Sequence, residues 1–320
     1  MYKIGIIDKM KDKGIDLLKS YKDFDCEVVT DLSRKNLLLK LPQFDGITLR
    51  RGKIDSEILN NCSRLKVIAR HGVGYDSVDT VCLKEKNITL LVAHNSTSTS
   101  PAEHIMFMIM NIYKGVGKFD EMVRKGNFSK AIHLNIEENF ELFNKTVFIV
   151  GFGRIGKKLI KKCQGFDMNV IVFDPHIDAS IITALGGKKV STLEEGLKKA
   201  DILSLSLPLN KETKNFITLK EMKIMKKSSI IINAARGGII NEIDLDYALN
   251  NKIISFAGID VFEKEPPEET NPLLVNERVV LSPHAATFTK EGLENMATET
   301  AQNIIDFFED KIDNNKIVKL

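Results

Sequence analysis

Short apolar runs alternate with amphipathic stretches along the first 95 residues of the chain. The apolar runs predict five strands, at Lys3–Ile7, Glu27–Val29, Gly46–Leu49, Val67–Ala69 and Ile88–Val92. The stretches between them have helical periodicity, as at Asp55–Asn61 and Val78–Lys86. Alternation at this spacing is typical of a parallel sheet covered by helices on both faces.

A second series of the same kind starts near residue 146. Its apolar runs are short and dense, as in strands that are buried on both faces. They predict strands at Thr146–Val150, Asn169–Phe173, Ile202–Ser206, Ser229–Asn233, Ile254–Asp260 and Val279–Leu281. The sequence therefore predicts an α/β protein with two doubly wound parallel-sheet domains.

Two long helices are predicted besides these series. Ser100, Pro101 and Glu103 have the pattern of a capping box with proline in the first turn. The helix that they open, from Ala102 to about Tyr113, is apolar nearly all round, so it must be buried, either between domains or between subunits. The second helix, from about Lys290 to Phe308, is amphipathic.

Composition and charge argue against several classes of function. The 320 residues carry 46 basic and 43 acidic side chains, a formal net charge of +3, which gives no electrostatic reason to expect nucleic acid or an anionic membrane as partner. No apolar run approaches the roughly 18 residues that span a bilayer. The amino terminus resembles a strand rather than a signal peptide, and the four cysteines lack metal-ligand spacing. We therefore expect a cytoplasmic protein with free thiols and no metal site.

A glycine-rich motif joins the first strand of the second series to a helix. Gly151, Gly153 and Gly156 form a GxGxxG pattern, and Asp174 follows at the end of the next strand. In a dinucleotide-binding unit these glycines permit a tight turn, admit the pyrophosphate and let the helix pack on the strand. The helix N-terminus, with Arg154, would hold the pyrophosphate. Asp174 would bind the ribose hydroxyls and repel a 2′-phosphate, which predicts NAD rather than NADP.

A second glycine pair, in Gly72-Val73-Gly74, lacks both the third glycine and the partner acid. Its backbone amides could form a small anion-binding nest at the end of a strand. A plain tight turn has the same spacing, so both interpretations stay open.

Three strand ends in the second series deliver an arginine, a glutamate and a histidine. Arg236, Glu265 and His284 each follow a predicted strand, and the carboxyl ends of parallel strands face the ligand crevice of such sheets. Each residue alone is commonly structural. Reduction of a 2-keto acid by hydride, however, needs a proton donor such as histidine, a carboxylate that orients it and a guanidinium for the substrate carboxylate. The set predicts an NAD-dependent dehydrogenase of small 2-hydroxy acids.

These motifs resemble those of the D-isomer-specific 2-hydroxyacid dehydrogenases, which include D-3-phosphoglycerate dehydrogenase and glyoxylate or hydroxypyruvate reductase. The matching stretches follow the family order at 70–79, 102–104, 151–156, 173–175, 206–213, 233–242, 260–266 and 282–286, and the last three are highly specific. The chain departs from the family at Pro101 and after His284, where Ala285 and Ala286 stand. These departures bear on pocket shape rather than on reaction class.

The resemblance implies a role for each site residue. His284 would be the acid/base, Glu265 its partner and Arg236 the substrate clamp. The amides of Val73 and Gly74 would bind the substrate carboxylate. Asp260 would contact the nicotinamide carboxamide, and further residues would line the cofactor site, namely Ile155, Leu207, Pro208, Thr213 and Ala234.

The resemblance also implies an architecture. Residues 1–99 with 288–320 would form a flavodoxin-like substrate-binding domain, and residues 100–287 a Rossmann NAD-binding domain, with the active site in the cleft between them. The family and the apolar helix both indicate a homodimer. The chain ends without the regulatory domain of some phosphoglycerate dehydrogenases, so serine feedback through such a domain is not expected.

The identity of the substrate stays open at this level. Arg50, Arg51 and Arg70 lie at predicted strand ends, where they could hold a second anionic group or pair with local acids. The first interpretation favours 3-phosphoglycerate or hydroxypyruvate, with glyoxylate as the smaller alternative.

Two rival functions use the same fold. An NAD-sensing scaffold, such as a transcriptional corepressor, would keep the cofactor site but bind partners through a flat apolar patch or added tails, and this chain has no such tails. Formate dehydrogenase is closer in chemistry, but it pairs its histidine with glutamine, and Glu265 argues against it.

Overall fold

The structure is a computed structural model that describes residues 1–94, 96, 98–133 and 139–320. It divides into two compact units. Unit 1 comprises Met1–Thr97 and Phe288–Leu320, and unit 2 comprises Ser98–Thr287. Within the described ranges, no helix has both the length and the hydropathy that crossing a membrane requires.

Unit 1 is built on a five-stranded parallel sheet. Strands β1 to β5 occupy Tyr2–Ile7, Phe24–Val29, Gly46–Leu49, Val67–Arg70 and Thr89–Val92. They pair in the order β2-β1-β3-β4-β5, so the winding reverses between β1 and β3. Its helices are α1 to α4, at Asp12–Ser20, Arg34–Lys40, Ser56–Asn60 and Thr80–Glu85, and the last helix of the chain, α13 at Lys290–Phe308.

Helix α13 packs closely on the rest of unit 1. Gly14 of α1 lies so near to it that an added Cβ would come within 2.4 Å of the backbone oxygen of Ala297. Asn303 is buried and donates from Nδ2 to the backbone oxygen of Val92 at 3.1 Å. A buried amide requires such a partner, so this bond fixes the helix against the end of β5.

Unit 2 is built on a seven-stranded parallel sheet. Strands β6 to β12 occupy Thr146–Val150, Asn169–Phe173, Lys188–Lys189, Ile202–Leu205, Ile230–Asn233, Phe256–Ile259 and Val279–Leu281. They pair in the order β12-β11-β10-β9-β6-β7-β8, so the winding reverses between β6 and β9. Helices α5 to α12 occupy Thr99–Lys114, Val116–Arg124, Phe128–Ile132, Arg154–Gln164, Ala179–Ala184, Leu193–Lys199, Leu219–Met222 and Glu242–Asn250. The two sheets confirm the predicted doubly wound α/β fold.

Some predicted element boundaries were wrong. Helix α5 begins at Thr99 with Ser98 as its N-cap residue, so Ser100 lies buried in the first turn instead of capping it. Proline is tolerated within that turn, so Pro101 does not mark the start by itself. Helix α8 begins at Arg154, inside the glycine motif. Strand β8 was not predicted because its two lysines carry no apolar signal.

Helix α5 is buried on one face within the single chain, and its predicted burial between subunits stays a prediction. Its inner face is buried, with Ile105, Met108 and Ile109 fully enclosed. Its outer face is open in the single chain, where Phe107 is 58% exposed. An apolar periodicity cannot distinguish a surface buried within the chain from one left for a partner.

Candidate active site

The carboxyl edge of the unit 2 sheet gathers most of the predicted site. The loops after β6 and β7 carry the glycine motif and Asp174. The loops after β10, β11 and β12, three adjacent strands, carry Arg236, Glu265 and His284. Parallel strands place all of these loops at one edge, where the winding reversal of a doubly wound sheet also lies.

His284 and Glu265 form a hydrogen-bonded pair. Nδ1 of His284 lies 2.8 Å from Oε2 of Glu265, and the two side chains are 48% and 40% exposed, so a small molecule can reach them. Burial raises the pKa of Glu265, but the bond and charge of His284, the amide of Phe262 and the charge of Arg236 outweigh it and hold that pKa below its usual value. The ionised carboxylate can only accept, so Nδ1 carries a proton and Nε2 is the atom left for proton transfer.

Arg236 lies in a loop that is held from two sides. The buried side chain of Asn233 donates from Nδ2 to the backbone oxygen of Arg236 at 2.9 Å. Gly237 then approaches the next loop so closely that an added Cβ would lie 1.8 Å from the backbone oxygen of Phe262. The loops that carry Arg236 and Glu265 are therefore in direct contact.

The carboxylate of Asp260 is held by hydrogen bonds from the protein itself. Its carboxylate has no exposed surface and accepts hydrogen bonds from the amides of Ala285 and Ala286, at 2.7 and 3.0 Å, and from the Ser282 hydroxyl. Burial raises the pKa of Asp260, but hydrogen bonds from His104, Ser282 and Ala285 outweigh it and hold that pKa low. These protein donors enclose the carboxylate. Its contact with a nicotinamide carboxamide stays a prediction.

The glycine motif is shaped to take a dinucleotide. Gly151 has a φ of +89°, and an added Cβ would come within 2.4 Å of the backbone oxygen of Ser206. An added Cβ on Gly153 would meet no atom within 4 Å, whereas one on Gly156 would come within 2.9 Å of the turn. Helix α8 starts at Arg154 with no side-chain cap, and the amides of a helix's first turn have no acceptor within the helix itself. This is the cradle that a pyrophosphate needs.

Asp174 follows β7 beside this cradle. Its Oδ2 accepts from the amide of Phe152 at 2.7 Å, and its Oδ1 accepts from the amide of His176 at 2.9 Å. These bonds fix the carboxylate at the edge of the glycine motif. Each oxygen keeps a second lone pair, which a ribose hydroxyl can use.

The remaining predicted cofactor residues lie on adjacent loops of the same edge. They are Ile155 in the first turn of α8, Leu207, Pro208 and Thr213 after β9, and Ala234 after β10. The Thr213 hydroxyl donates to the backbone oxygen of Pro208 at 2.6 Å and accepts from the amide of Asn210 at 2.8 Å. Its observed role is to hold the shape of that loop.

Two of the basic residues predicted in unit 1 share one buried acid. Asp8, which follows β1, accepts from Nε of Arg51 at 2.6 Å and from Nη1 of Arg50 at 3.2 Å. Burial raises the pKa of Asp8, but the two arginines outweigh it and hold that pKa low. This is the pairing with a local acid that the sequence left open. One carboxylate between two guanidiniums still leaves net positive charge at this sheet edge.

Arg70 and the second glycine pair lie at the same edge of unit 1. Arg70 donates from Nε to the backbone oxygen of Gly74 at 2.7 Å and thereby braces the turn. Gly72 has a φ of +125°, which residues with a side chain rarely adopt. Among the residues that the structure describes, the amides of Val73 and Gly74 have no acceptor. The turn therefore keeps two amides available for an anion, as the nest interpretation requires.

Comparison with known proteins places the chain in a family. A model of the D-isomer specific 2-hydroxyacid dehydrogenase NAD binding domain matches residues 106–286. The chain belongs to this family. It is 33% identical over 305 residues to the D-3-phosphoglycerate dehydrogenase of Methanocaldococcus jannaschii, covering 95% of this chain and 57% of that protein. It is 33% identical over 312 residues to the glyoxylate reductase of Pyrococcus furiosus, covering 95% and 92%.

Solved structures agree with this placement in the family. A crystal structure of a Thermus thermophilus protein has a TM-score of 0.87 at 25% identity, over 99% of this chain and 100% of that chain. The chain spans about half the length of the phosphoglycerate dehydrogenases that it matches, but most of the length of the glyoxylate reductases. The comparisons confirm the predicted resemblance and NAD as the cofactor.

Sequence analysis missed four polar residues that hydrogen-bond to predicted site residues or to their loops. Sequence analysis assigned no function to Asp8, His104, Asn233 or Ser282. Asn233 and Ser282 lie within three residues of Arg236 and His284, which is a usable signal. Asp8 and His104 carry no such signal, because only the fold brings them to their partners.

Proposed function

We propose that the protein is an NAD-dependent D-2-hydroxyacid dehydrogenase that interconverts a small 2-keto acid and a D-2-hydroxy acid. The observation that carries the proposal is the His284–Glu265 pair, which lies at the same sheet edge as the dinucleotide cradle. The names of the relatives, phosphoglycerate dehydrogenase and glyoxylate reductase, support the same reaction class. The retained arginine, glutamate and histidine support an enzyme rather than a scaffold.

The proposed mechanism assigns one task to each polar side chain. Bound NADH supplies the hydride for the keto carbon. His284 gives a proton from Nε2 to the carbonyl oxygen, and Glu265 stabilises the charged imidazole and keeps Nδ1 protonated. Arg236 holds the substrate carboxylate in the forked geometry that lysine lacks. In the oxidative direction His284 accepts the proton.

We further propose how the substrate is selected. The amides of Val73 and Gly74 would bind its carboxylate, and the positive charge around Arg50, Arg51 and Arg70 would favour a second anionic group. A second anionic group supports 3-phosphoglycerate, and hydroxypyruvate, whose only anionic group is its carboxylate, is the second candidate. The nearly full-length match to glyoxylate reductases supports glyoxylate as the alternative.

A panel of keto acids tests the proposal. Glyoxylate, hydroxypyruvate and phosphohydroxypyruvate are each mixed with NADH or NADPH, and oxidation of the nicotinamide is followed by absorbance. We expect turnover with NADH, and we expect His284→Ala to lower kcat by about 10²-fold to 10⁴-fold because general acid catalysis is lost. The control is Glu263→Gln, which changes an exposed acid of the loop that carries Glu265. Full activity of His284→Ala would remove the proposed acid/base, and NAD binding without any turnover would favour the scaffold.

We also propose that the protein is a homodimer formed through unit 2. The exposed face of α5 presents Phe107 and Met110, which line an open apolar groove together with Val116 and Phe166. A contiguous apolar surface of this kind marks an interaction site. The homodimer expected from the resemblance supplies the partner, a second copy of the chain.

We propose a cytoplasmic location. All four cysteines are free, and three of them are buried. Burial raises the pKa of Cys163 to about 12, which keeps it an inert thiol. Free thiols support a reducing compartment.

A further inference from the structure

A chain of hydrogen bonds links helix α5 to the loop that carries His284. Nε2 of His104 lies 2.9 Å from Oγ of Ser282 and 3.4 Å from Oδ1 of Asp260. The Ser282 hydroxyl itself donates to Oδ1 of Asp260. A hydroxyl has only one proton, so Ser282 accepts from His104, and Nε2 of His104 carries the donated proton.

Asp260 in turn holds three consecutive residues of that loop. Its backbone oxygen accepts from the amide of His284 at 2.7 Å, and its carboxylate accepts from the amides of Ala285 and Ala286. His284 has a φ of +52°, in the left-handed region that residues with a side chain rarely adopt. Such a conformation persists only where its surroundings enforce it. The hydrogen bonds to Asp260 hold His284 in this conformation.

The carboxylate of Asp260 depends on its donors. It is fully buried, and a buried charge must be compensated by hydrogen bonds. Two of its donors are amides of the loop itself, and the others are Ser282 and His104. His104 is 17% exposed at its side chain and belongs to α5, which packs on β10, β11 and β12. It therefore joins the carboxylate to a rigid element outside the loop.

We propose that His104 is a positioning residue for proton transfer. Through Ser282 and Asp260 it holds His284 in the conformation in which the imidazole meets Glu265. The helix is anchored without it, since Ile105, Met108 and Ile109 are fully buried beside it. The inference rests on the proposed function, because it assumes that His284 is the acid/base.

Two substitutions at one position test the proposal. His104→Leu removes the donor, whereas His104→Gln places an amide N–H close to the position of Nε2. We expect His104→Leu to lower kcat by about 10-fold to 100-fold, with KM for NADH within about two-fold of wild type, because a displaced catalytic group affects chemistry more than cofactor binding. We expect His104→Gln to recover most of kcat. The control is Glu194→Gln in α10, which breaks an exposed ion pair with Lys198 outside the site and outside the groove on α5.

A double-mutant cycle shows whether the effect passes through His284. In the His284→Ala background, His104→Leu should lower the residual rate by no more than about two-fold, since groups that act as a unit are not additive. An equal loss in both backgrounds, or a wild-type kcat for His104→Leu, would overturn the inference. If His104→Leu does not fold, Ser282→Ala removes the hydroxyl that joins His104 to Asp260. The same changes in kcat are then expected for Ser282→Ala in the wild-type and His284→Ala backgrounds. Absence of turnover by the wild type would instead refute the proposed function.

Discussion

His71 is a buried histidine that the proposed chemistry does not use. It directly follows β4 in unit 1 and is 8% exposed, and its Nε2 has no hydrogen-bond partner within the part of the chain that the structure describes. Burial, together with the charges of Arg50 and Arg70, lowers the pKa of His71 to about 4. The ring is therefore neutral in the folded protein at neutral pH, whereas in the unfolded chain it titrates near pH 6.5.

His71 should make the folded protein sensitive to acid. The folded pKa lies below the unfolded one, so the unfolded chain binds more protons between about pH 6.5 and 4, and stability is lost as the pH falls through that window. The full shift corresponds to about 3 kcal/mol of unfolding free energy. In urea unfolding measured across this pH window, the unfolding free energy of His71→Gln should decrease less steeply with falling pH than that of the wild type. His133→Gln, at an exposed position, is the control. The same slope in wild type and His71→Gln would contradict the assignment.

At the scale of elements, the loops of unit 2 are positioned by direct backbone contact. The turn at Gly151 touches the end of β9, and the turn at Gly237 touches the loop after β11. Parallel strands lie about 4.8 Å apart, and at these two turns an added Cβ would collide with the neighbouring backbone, so the close approach requires glycine. The close approach of the loops that carry Arg236 and Glu265 therefore depends on Gly237.

Gly237→Ala tests that contact. The added Cβ would lie 1.8 Å from the backbone oxygen of Phe262, so one of the two loops must move. We expect a loss of about 1–3 kcal/mol in unfolding free energy, as for other overpacked sites. We also expect kcat/KM to fall by at least about 10-fold, because Arg236 is displaced from the pair.

The matched control for this substitution is Gly117→Ala. An added Cβ at Gly117 would meet its nearest atom, in Asn111, at 3.6 Å, which is ordinary contact. Both variants are compared by urea unfolding and by steady-state kinetics. A Gly237→Ala protein with wild-type stability and activity would mean that the loops are not held by this contact.

At the scale of the whole molecule, the apolar surface is unevenly distributed. Exposed large apolar side chains are frequent along residues 107–166 of unit 2, at Phe107, Met110, Val116, Val123, Phe128, Ile132, Phe143 and Phe166. Scattered apolar residues are normal on a protein surface, but a concentration in one segment indicates an interface.

Sedimentation tests the proposed homodimer. We expect a mass of twice 36.0 kDa for the wild type. Phe107→Glu should shift it toward the monomer, because a buried unpaired carboxylate is costly at an apolar interface. Leu39→Glu changes a side chain of unit 1 that is 75% exposed, and it should leave the mass unchanged. A wild type that sediments at the mass of one chain would exclude the proposed dimer.

Several elements with a strong apolar signal were predicted at their observed bounds. Strands β3, β6, β7 and β12 and helix α13 agree residue for residue with the periodicity. Strand β2 begins at Phe24, before its predicted start at Glu27, and β11 begins at Phe256, after its predicted start at Ile254. Further errors lie where the signal is weak, at the two lysines of β8 and at the polar start of α5. The candidate site divides in the same way: residue types at strand ends were predictable, but the partners of Asp260 and of Arg50 were not.

The sequence by itself determined the doubly wound fold, the dinucleotide cradle and the types of side chain at the strand ends, because apolar periodicity and short motifs are local properties. Only the tertiary structure decided which side chains meet. The His104–Ser282 bond joins residues 178 positions apart, and the Arg51–Asp8 bond joins residues 43 positions apart. Such pairs depend on which strands become neighbours and on how closely a helix packs over them, and no local pattern records either.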